Sequence, residues 1–227
     1  TCRAGHGDQG RSAGMSKRLL VLNGSIRGEG GNTGELLRLA REKVPAGIDT
    51  REIVLATYDA SVEALAEEIR NADGLLVGTG VYWGSWGSPL QRFLEVMSAF
   101  ETSDLFVGKP VGTVVTMDSV GGMDVAERLL GVFSTLGCLV PPLTMVVVSR
   151  LATALRGVAG NEDVWQVDDV DALMQNLVLA MSATAVQWRS WPVVRTSSFV
   201  GRYPATGLLD LGNPRFLRGV RKDDSND

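Results

Sequence analysis

The chain has 227 residues, of which 44% are apolar, 21% charged and 6% aromatic, and its formal net charge is −4. This length and apolar content fit one packed globular domain rather than a disordered chain. The mild acidity argues against a nucleic-acid-binding protein, which needs a basic face, and the most apolar stretch, 139–148, is far shorter than the roughly 18 apolar residues of a membrane span. Neither nucleic acid nor a membrane is therefore expected as a partner.

Apolar runs of strand length alternate with stretches of helical period from residue 18 onward. Residues 1–14 carry neither a periodic pattern nor a signal-peptide core, so we expect a disordered leader or a start-site artefact ahead of a natural start at Met15. Apolar runs bounded by Gly, Pro or polar residues predict strands at 18–23, 50–55, 75–79, 111–117 and 143–148. Apolar residues at helical spacing predict helices at 34–44, 61–70, 89–100, 123–136 and 164–188.

This alternation predicts a single α/β domain over residues 15–190. Right-handed crossovers between parallel strands place helices on both faces of the sheet, which gives a doubly wound fold. Residues 191–227 break the pattern with six Lys or Arg residues and with Pro and Gly interruptions. Two interpretations of this segment stay open: a loosely ordered tail, or an extended arm that wraps a partner subunit or covers the site.

Ligands of an open parallel sheet bind at the carboxyl ends of its strands. After the first strand comes a Gly-rich loop, 23–33, that carries Ser25, Arg27, Asn32 and Thr33 and leads into a helix. Backbone amides, hydroxyls and a guanidinium at a helix N-terminus are typical of a phosphate site. Asn32 also stands three residues before a Glu, as in a capping box, so a Gly-rich turn with an ordinary cap is the alternative.

The loop after the third strand concentrates aromatic residues. Tyr82, Trp83 and Trp86 lie within five residues, ahead of a helix whose start is predicted by Ser88 as N-cap and Pro89 in the first turn. These aromatics favour a wall for a flat conjugated ring, with the backbone amides of 83–85 on its polar edge. Packing of the loop or a subunit contact is the alternative.

The loop after the fourth strand, 118–122, also leads into a helix. Alone it is equally consistent with a capped turn. Because the carboxyl ends of parallel strands share one edge of the sheet, it is also a candidate third wall of the same site.

The rare residues indicate that the chemistry comes from a cofactor. The single histidine, His6, lies in the leader, so a Ser-His-Asp triad or a His-ligated zinc site is not expected. Cys2 and Cys138 are far apart, which excludes a four-Cys metal site and gives no sign of a disulfide framework. We therefore expect a reducing, cytoplasmic compartment, no metal ligands and no covalent catalytic residue.

Three groups of residues together resemble the NAD(P)H-dependent FMN reductase family, which has the flavodoxin-like fold. They are Gly24-Ser25-x-Arg27 with Gly31-Asn32-Thr33, residues 81–85 with 89–95, and the turn Gly121-Gly122. The resemblance covers about residues 17–148. It implies a three-layer sandwich with helices on both faces of a five-stranded parallel sheet of order 2-1-3-4-5, assembled as a homodimer or dimer of dimers.

The resemblance also implies, by position, which residues bind FMN. The phosphate would be held by Ser25, Arg27, Asn32 and Thr33. The isoalloxazine ring would be lined by Val81, Tyr82, Trp83, Gly84 and Ser85, and approached from its other side by Ser119, Gly121 and Gly122. This chain departs from the family in Gly80, commonly Pro, in Gln91, often Lys, and in its extension at 191–227.

The function implied is an FMN-dependent NAD(P)H oxidoreductase. In the expected ping-pong reaction, NAD(P)H is the co-substrate that delivers a hydride to bound FMN and leaves before a small-molecule electron acceptor enters. The acceptor stays open between free flavin, a quinone, an azo compound and a metal oxyanion. The alternatives are a flavodoxin-type electron carrier, which the mild net charge disfavours, and a binding module without flavin.

Overall fold

The structure, a computed structural model, describes residues 16–100, 103–151, 167–183 and 186–188. The leader predicted at 1–14 and the arm predicted at 191–227 lie outside the described residues.

A five-stranded sheet forms the centre of the domain. Its strands are β1 (Lys17–Asn23), β2 (Ile48–Val54), β3 (Gly74–Gly80), β4 (Val111–Met117) and β5 (Met145–Ser149). Every neighbouring pair is parallel, and the strand order is β2-β1-β3-β4-β5. The predicted flavodoxin-like sheet is therefore confirmed, including its order.

Helices cover both faces of this sheet. They are α1 (Asn32–Glu42), α2 (Val62–Asn71), α3 (Ser88–Met97), α4 (Gly122–Thr135) and α5 (Val170–Ser182). On β1, Leu20 and Leu22 pack with α2 and α3, while Leu19 and Val21 pack with α1 and α5. This burial on both faces explains the continuous apolar run in the sequence. Within the described ranges, no helix is long and apolar enough to cross a membrane.

Most predicted elements differ from the observed ones by a few residues at their ends, and for the last helix and the last strand the structure shows the reason. The last helix is predicted at 164–188, but α5 ends at Ser182. Met181 is the last buried residue of its apolar stripe and packs on Gly74 at the edge of the sheet. Trp188 is outside the helix and lies against Gly108. Strand β5 begins at Met145 rather than at 143, because Leu143 has a φ of +55° that no strand accommodates.

The buried thiol of Cys138 gives a test of the core. Cys138 is 6% exposed, and burial raises its pKa to about 12. We expect it to react with a disulfide reagent at pH 8 at least about 100-fold more slowly than a free thiol, since the thiolate is the reactive form. The measurement is absorbance of the released thiolate in the Cys2→Ser variant, with and without urea. Equal rates in the two conditions would contradict the packing.

Candidate cofactor site

The strand order creates a cleft at the carboxyl edge of the sheet. From β1 the chain passes to β2 on one side and then to β3 on the other, so the loops after β1 and β3 diverge and leave a crevice. A cleft of about 220 Å³ opens there. Its lining residues are Ser25, Arg27, Gly31, Asn32, Thr33, Gly80, Val81, Tyr82, Thr116, Met117, Asp118 and Arg150.

The floor of the cleft is built from the end of β1. Asn23 is fully buried, and its side chain accepts from the Ser25 amide at 3.1 Å and donates to Glu52 at 3.1 Å. The Ser25 hydroxyl oxygen in turn accepts from the Arg27 amide at 3.2 Å. These bonds fix a buried hydroxyl in the cleft, while the Arg27 side chain remains exposed at its rim.

No side chain caps the first amides of α1. Its N-cap is Gly31, which has extended backbone and no side-chain cap. The capping box expected from Asn32 and Glu35 is wrong: Asn32 is already the first helical residue, and Glu35 pairs with Arg38 at 2.7 Å, which lowers the pKa of that carboxyl. The free amides and the positive end of the helix dipole are therefore available to an anion.

Thr33 joins this helix to the sheet. Its hydroxyl is buried and lies 2.7 Å from the hydroxyl of Thr116 at the end of β4. At Gly80, at the end of β3, an added Cβ would lie 3.2 Å from the Tyr82 ring, so the glycine allows that ring to lie close to the strand. Hydroxyls from α1 and β4 thus meet beside the end of β3.

The loop after β3 turns as a tight hairpin. Tyr82 and Ser85 exchange backbone hydrogen bonds of 2.8 and 3.0 Å. Between them Trp83 and Gly84 have φ values of +50° and +76°, the pattern of a type I′ turn. The Ser85 amide is therefore used within the turn. In the described ranges, the amides of Trp83 and Gly84 have no acceptor.

The three aromatics of this loop have different roles. Tyr82 lines the cleft, whereas Trp83 is fully exposed at the tip of the turn. Trp86 packs inward, and its indole nitrogen donates to Gln91 at 2.8 Å. The prediction of Ser88 as the N-cap is also wrong, because Ser88 is the first residue of α3. The N-cap is Gly87, and its amide donates to a Thr hydroxyl of β3.

The loop after β4 closes the other side. Gly121 has a φ of +87° and packs near Val81 and Gly84. Gly122 is buried at the start of α4, and a Cβ there would collide with Val147, so its small size serves packing. Of the twelve predicted residues, six line the cleft together, and six are not among its lining residues: Trp83, Gly84, Ser85, Ser119, Gly121 and Gly122.

Sequence reasoning missed the lining contributed by β4 and by the end of β5. Met117 ends β4 and Asp118 follows it, and Arg150 follows β5 and pairs with Asp118 at 3.1 Å. Both charged side chains are mostly exposed, so the pair contributes little stability. The signal was present, since every parallel strand ends at this edge. The loop after the fourth strand was expected to contribute Ser119, Gly121 and Gly122 rather than Asp118, and the end of the fifth strand was not among the candidates.

Comparison with known proteins assigns the chain to a family. A family model of NADPH-dependent FMN reductase matches residues 17–152. The chain belongs to this family. Membership supports an FMN-linked NAD(P)H oxidoreductase and fits the cleft lining described above. No curated protein matches the chain.

Solved structures of similar fold include an oxidoreductase, RosB and an NADH:FMN oxidoreductase. An oxidoreductase from Corynebacterium diphtheriae has a TM-score of 0.61 and 17% identity, over 75% of this chain and 100% of its own. RosB with a bound formylriboflavin phosphate intermediate has a TM-score of 0.59 and 16% identity, over 79% and 94%. The apo form of an NADH:FMN oxidoreductase has a TM-score of 0.57 and 18% identity, over 75% and 91%. At these identities they show the shared fold.

Gly34, the third residue of α1, gives a prediction for the loop after β1. A Cβ at Gly34 would collide with the backbone carbonyl of Glu29, which cannot yield without moving the loop. We expect Gly34→Ala to lower the free energy of unfolding by about 1–2 kcal/mol, the overpacking penalty less the gain in helix propensity. Gly30→Ala is the control, because a Cβ at Gly30 meets nothing within 4 Å. Urea titrations that give both variants the same stability would refute this account.

Proposed function

We propose that this chain is an FMN-dependent NAD(P)H oxidoreductase whose α1 N-terminus holds the FMN phosphate. The observation that carries the proposal is an uncapped helix N-terminus flanked by the buried hydroxyls of Ser25 and Thr33. A phosphate satisfies those hydroxyls and the free amides at once. Arg27, at the rim, supplies the planar cation that suits phosphate oxygens, and Asn32 adds an amide donor.

The loops beyond the phosphate site would hold the flavin ring. Val81 and Tyr82 offer a wall of the cleft, and the free amides of Trp83 and Gly84 are donors for a polar ring edge. The same proposal includes Ser119 and Gly121. Gly122 and Ser85, whose amide is already bonded within the turn, are supporting positions. Fixed amide donors stabilise charge that develops during reaction without reorganising.

Bound FMN would supply the redox chemistry, taking a hydride from NAD(P)H and passing electrons on. The chain's own residues bind and orient it. The cleft opens on one side, so we propose that NAD(P)H and the acceptor, a flavin, a quinone or a similar small molecule, use that side in turn, as in a ping-pong reaction. No side chain needs to act as a covalent catalyst.

Assembly and location are part of the same proposal. Trp83 is fully exposed and Val120 is 76% exposed, both beside the cleft. Exposed apolar side chains at one edge favour a subunit contact, so we propose a homodimer or dimer of dimers. The cysteine content is compatible with a cytoplasmic location.

Anaerobic spectroscopy tests the proposed function. The purified protein should bind FMN in a saturable manner, and NADPH or NADH should bleach the flavin absorbance near its visible maximum. Binding without bleaching would support the electron carrier instead. No binding would support the module without flavin.

Arg27 gives a sharper test of the phosphate assignment. We expect Arg27→Ala to weaken FMN binding by about tenfold or more, as for one charge-assisted hydrogen bond, and to leave riboflavin binding nearly unchanged. Arg70→Ala is the control, since Arg70 is a similarly exposed arginine that pairs with Glu67 on α2, away from the cleft. Fluorescence titrations that show equal losses for the two ligands would remove Arg27 from the phosphate site.

A further inference from the structure

Arg128 on α4 reaches across to the loop after β3. Its guanidinium donates through Nη2 to the carbonyl of Gly84 and lies 5.2 Å above the centre of the Trp86 ring. Its Nε donates to Asp124, one turn earlier on the same helix, at 3.0 Å. One side chain therefore holds the turn, the inward-packed indole and the helix together.

We propose that Arg128 is a positioning residue that fixes the Tyr82–Ser85 turn and thereby sets the shape of the ring-side wall. This inference rests on the proposed function, because it assigns the turn to the flavin site. Arg128 itself does not line the cleft. It would act through the peptide groups of the turn.

The argument starts from the weakness of the turn alone. Two backbone bonds close it, and Trp83, a bulky residue, is held at a positive φ that disfavours non-glycine residues. Such a conformation persists only where its surroundings hold it in place. Arg128 supplies that restraint from α4. Its guanidinium donates to the Gly84 carbonyl and so fixes the peptide plane between Gly84 and Ser85.

The chemistry of arginine suits this task. Its planar fork can donate to a carbonyl from one nitrogen and to a carboxylate from another while its face covers an aromatic ring. Trp86 is held from its other end by Gln91, whose side-chain oxygen accepts from the indole nitrogen at 2.8 Å. The indole is thus a fixed base for Arg128, and the turn is anchored to both α3 and α4.

The consequence for the site reaches the two free amides, those of Trp83 and Gly84, through the turn that contains them. The Gly84 carbonyl shares its peptide group with the Ser85 amide, which closes the turn on Tyr82, and this peptide group cannot rotate without losing the charge-assisted bond to Arg128. The same restraint keeps the turn beside Gly121 of the loop after β4, where an added Cβ would lie 3.7 Å from the Val81 side chain and 4.0 Å from Gly84. Arg128 therefore couples these loops to one helix.

The first experiment needs no flavin. Hydrogen exchange of the Tyr82 and Ser85 amides is measured in the flavin-free protein for Arg128→Met and for the control Arg70→Met. We expect exchange about tenfold faster in Arg128→Met, from loss of one charged hydrogen bond, and no change in the control. Arg128→Lys should recover part of the protection, because it keeps the charge and one donor. Unchanged exchange in Arg128→Met overturns the inference.

The second experiment measures the effect on the site. We expect Arg128→Met to weaken FMN binding by about tenfold and to alter the visible circular dichroism of bound FMN, with Arg70→Met like the wild type. Faster exchange with unchanged affinity and dichroism would show that the turn does not shape the site, which also overturns the inference. If the wild type does not bind FMN, the proposed function fails, while the exchange rates still decide whether Arg128 holds the turn.

Discussion

The N-terminus of α1 is the constraint on which the candidate site depends. The first amides of a helix need acceptors, and here Gly31 offers no side chain to cap them. The chain instead buries the hydroxyls of Ser25 and Thr33 beside those amides and closes the loop so tightly that only glycine fits at position 34. The Ser25 hydroxyl is bonded to the Arg27 amide and the Thr33 hydroxyl to Thr116, whereas the first amides of α1 have no acceptor among the described residues. The proposed phosphate would supply that acceptor.

The remaining walls are positioned relative to that point. Thr33 and Thr116 tie α1 to the end of β4, which sets the distance between the phosphate loop and the other loops. Arg128 then ties the turn after β3 to α4. The sheet order provides the edge, and a few polar side chains fix the loops on it. Rigid elements with polar restraints between them are the usual way in which a fold holds a binding site.

The fold was predictable because each strand is an apolar run and each helix has an apolar stripe, and both are local patterns. The position of the loop after β1 in the cleft was predictable for a related reason, since a loop that follows a parallel strand lies at the carboxyl edge of the sheet. Side-chain partners were less predictable. Glu35 pairs with Arg38 rather than with the backbone, and Trp86 packs with Gln91 and Arg128 rather than in the cleft. These partners are determined by packing and not by the spacing of residues along the sequence.

Amide chemical shifts during an FMN titration test the central claim most directly. In two-dimensional ¹⁵N–¹H spectra of the labelled protein, the account predicts saturable shifts for the amides of Gly31 to Gly34 at the start of α1, together with those of Trp83 and Gly84. Amides at the opposite edge of the sheet, such as Gly74 and Gly108, should stay in place. Shifts that cluster at that opposite edge, or that spare the start of α1, would contradict it.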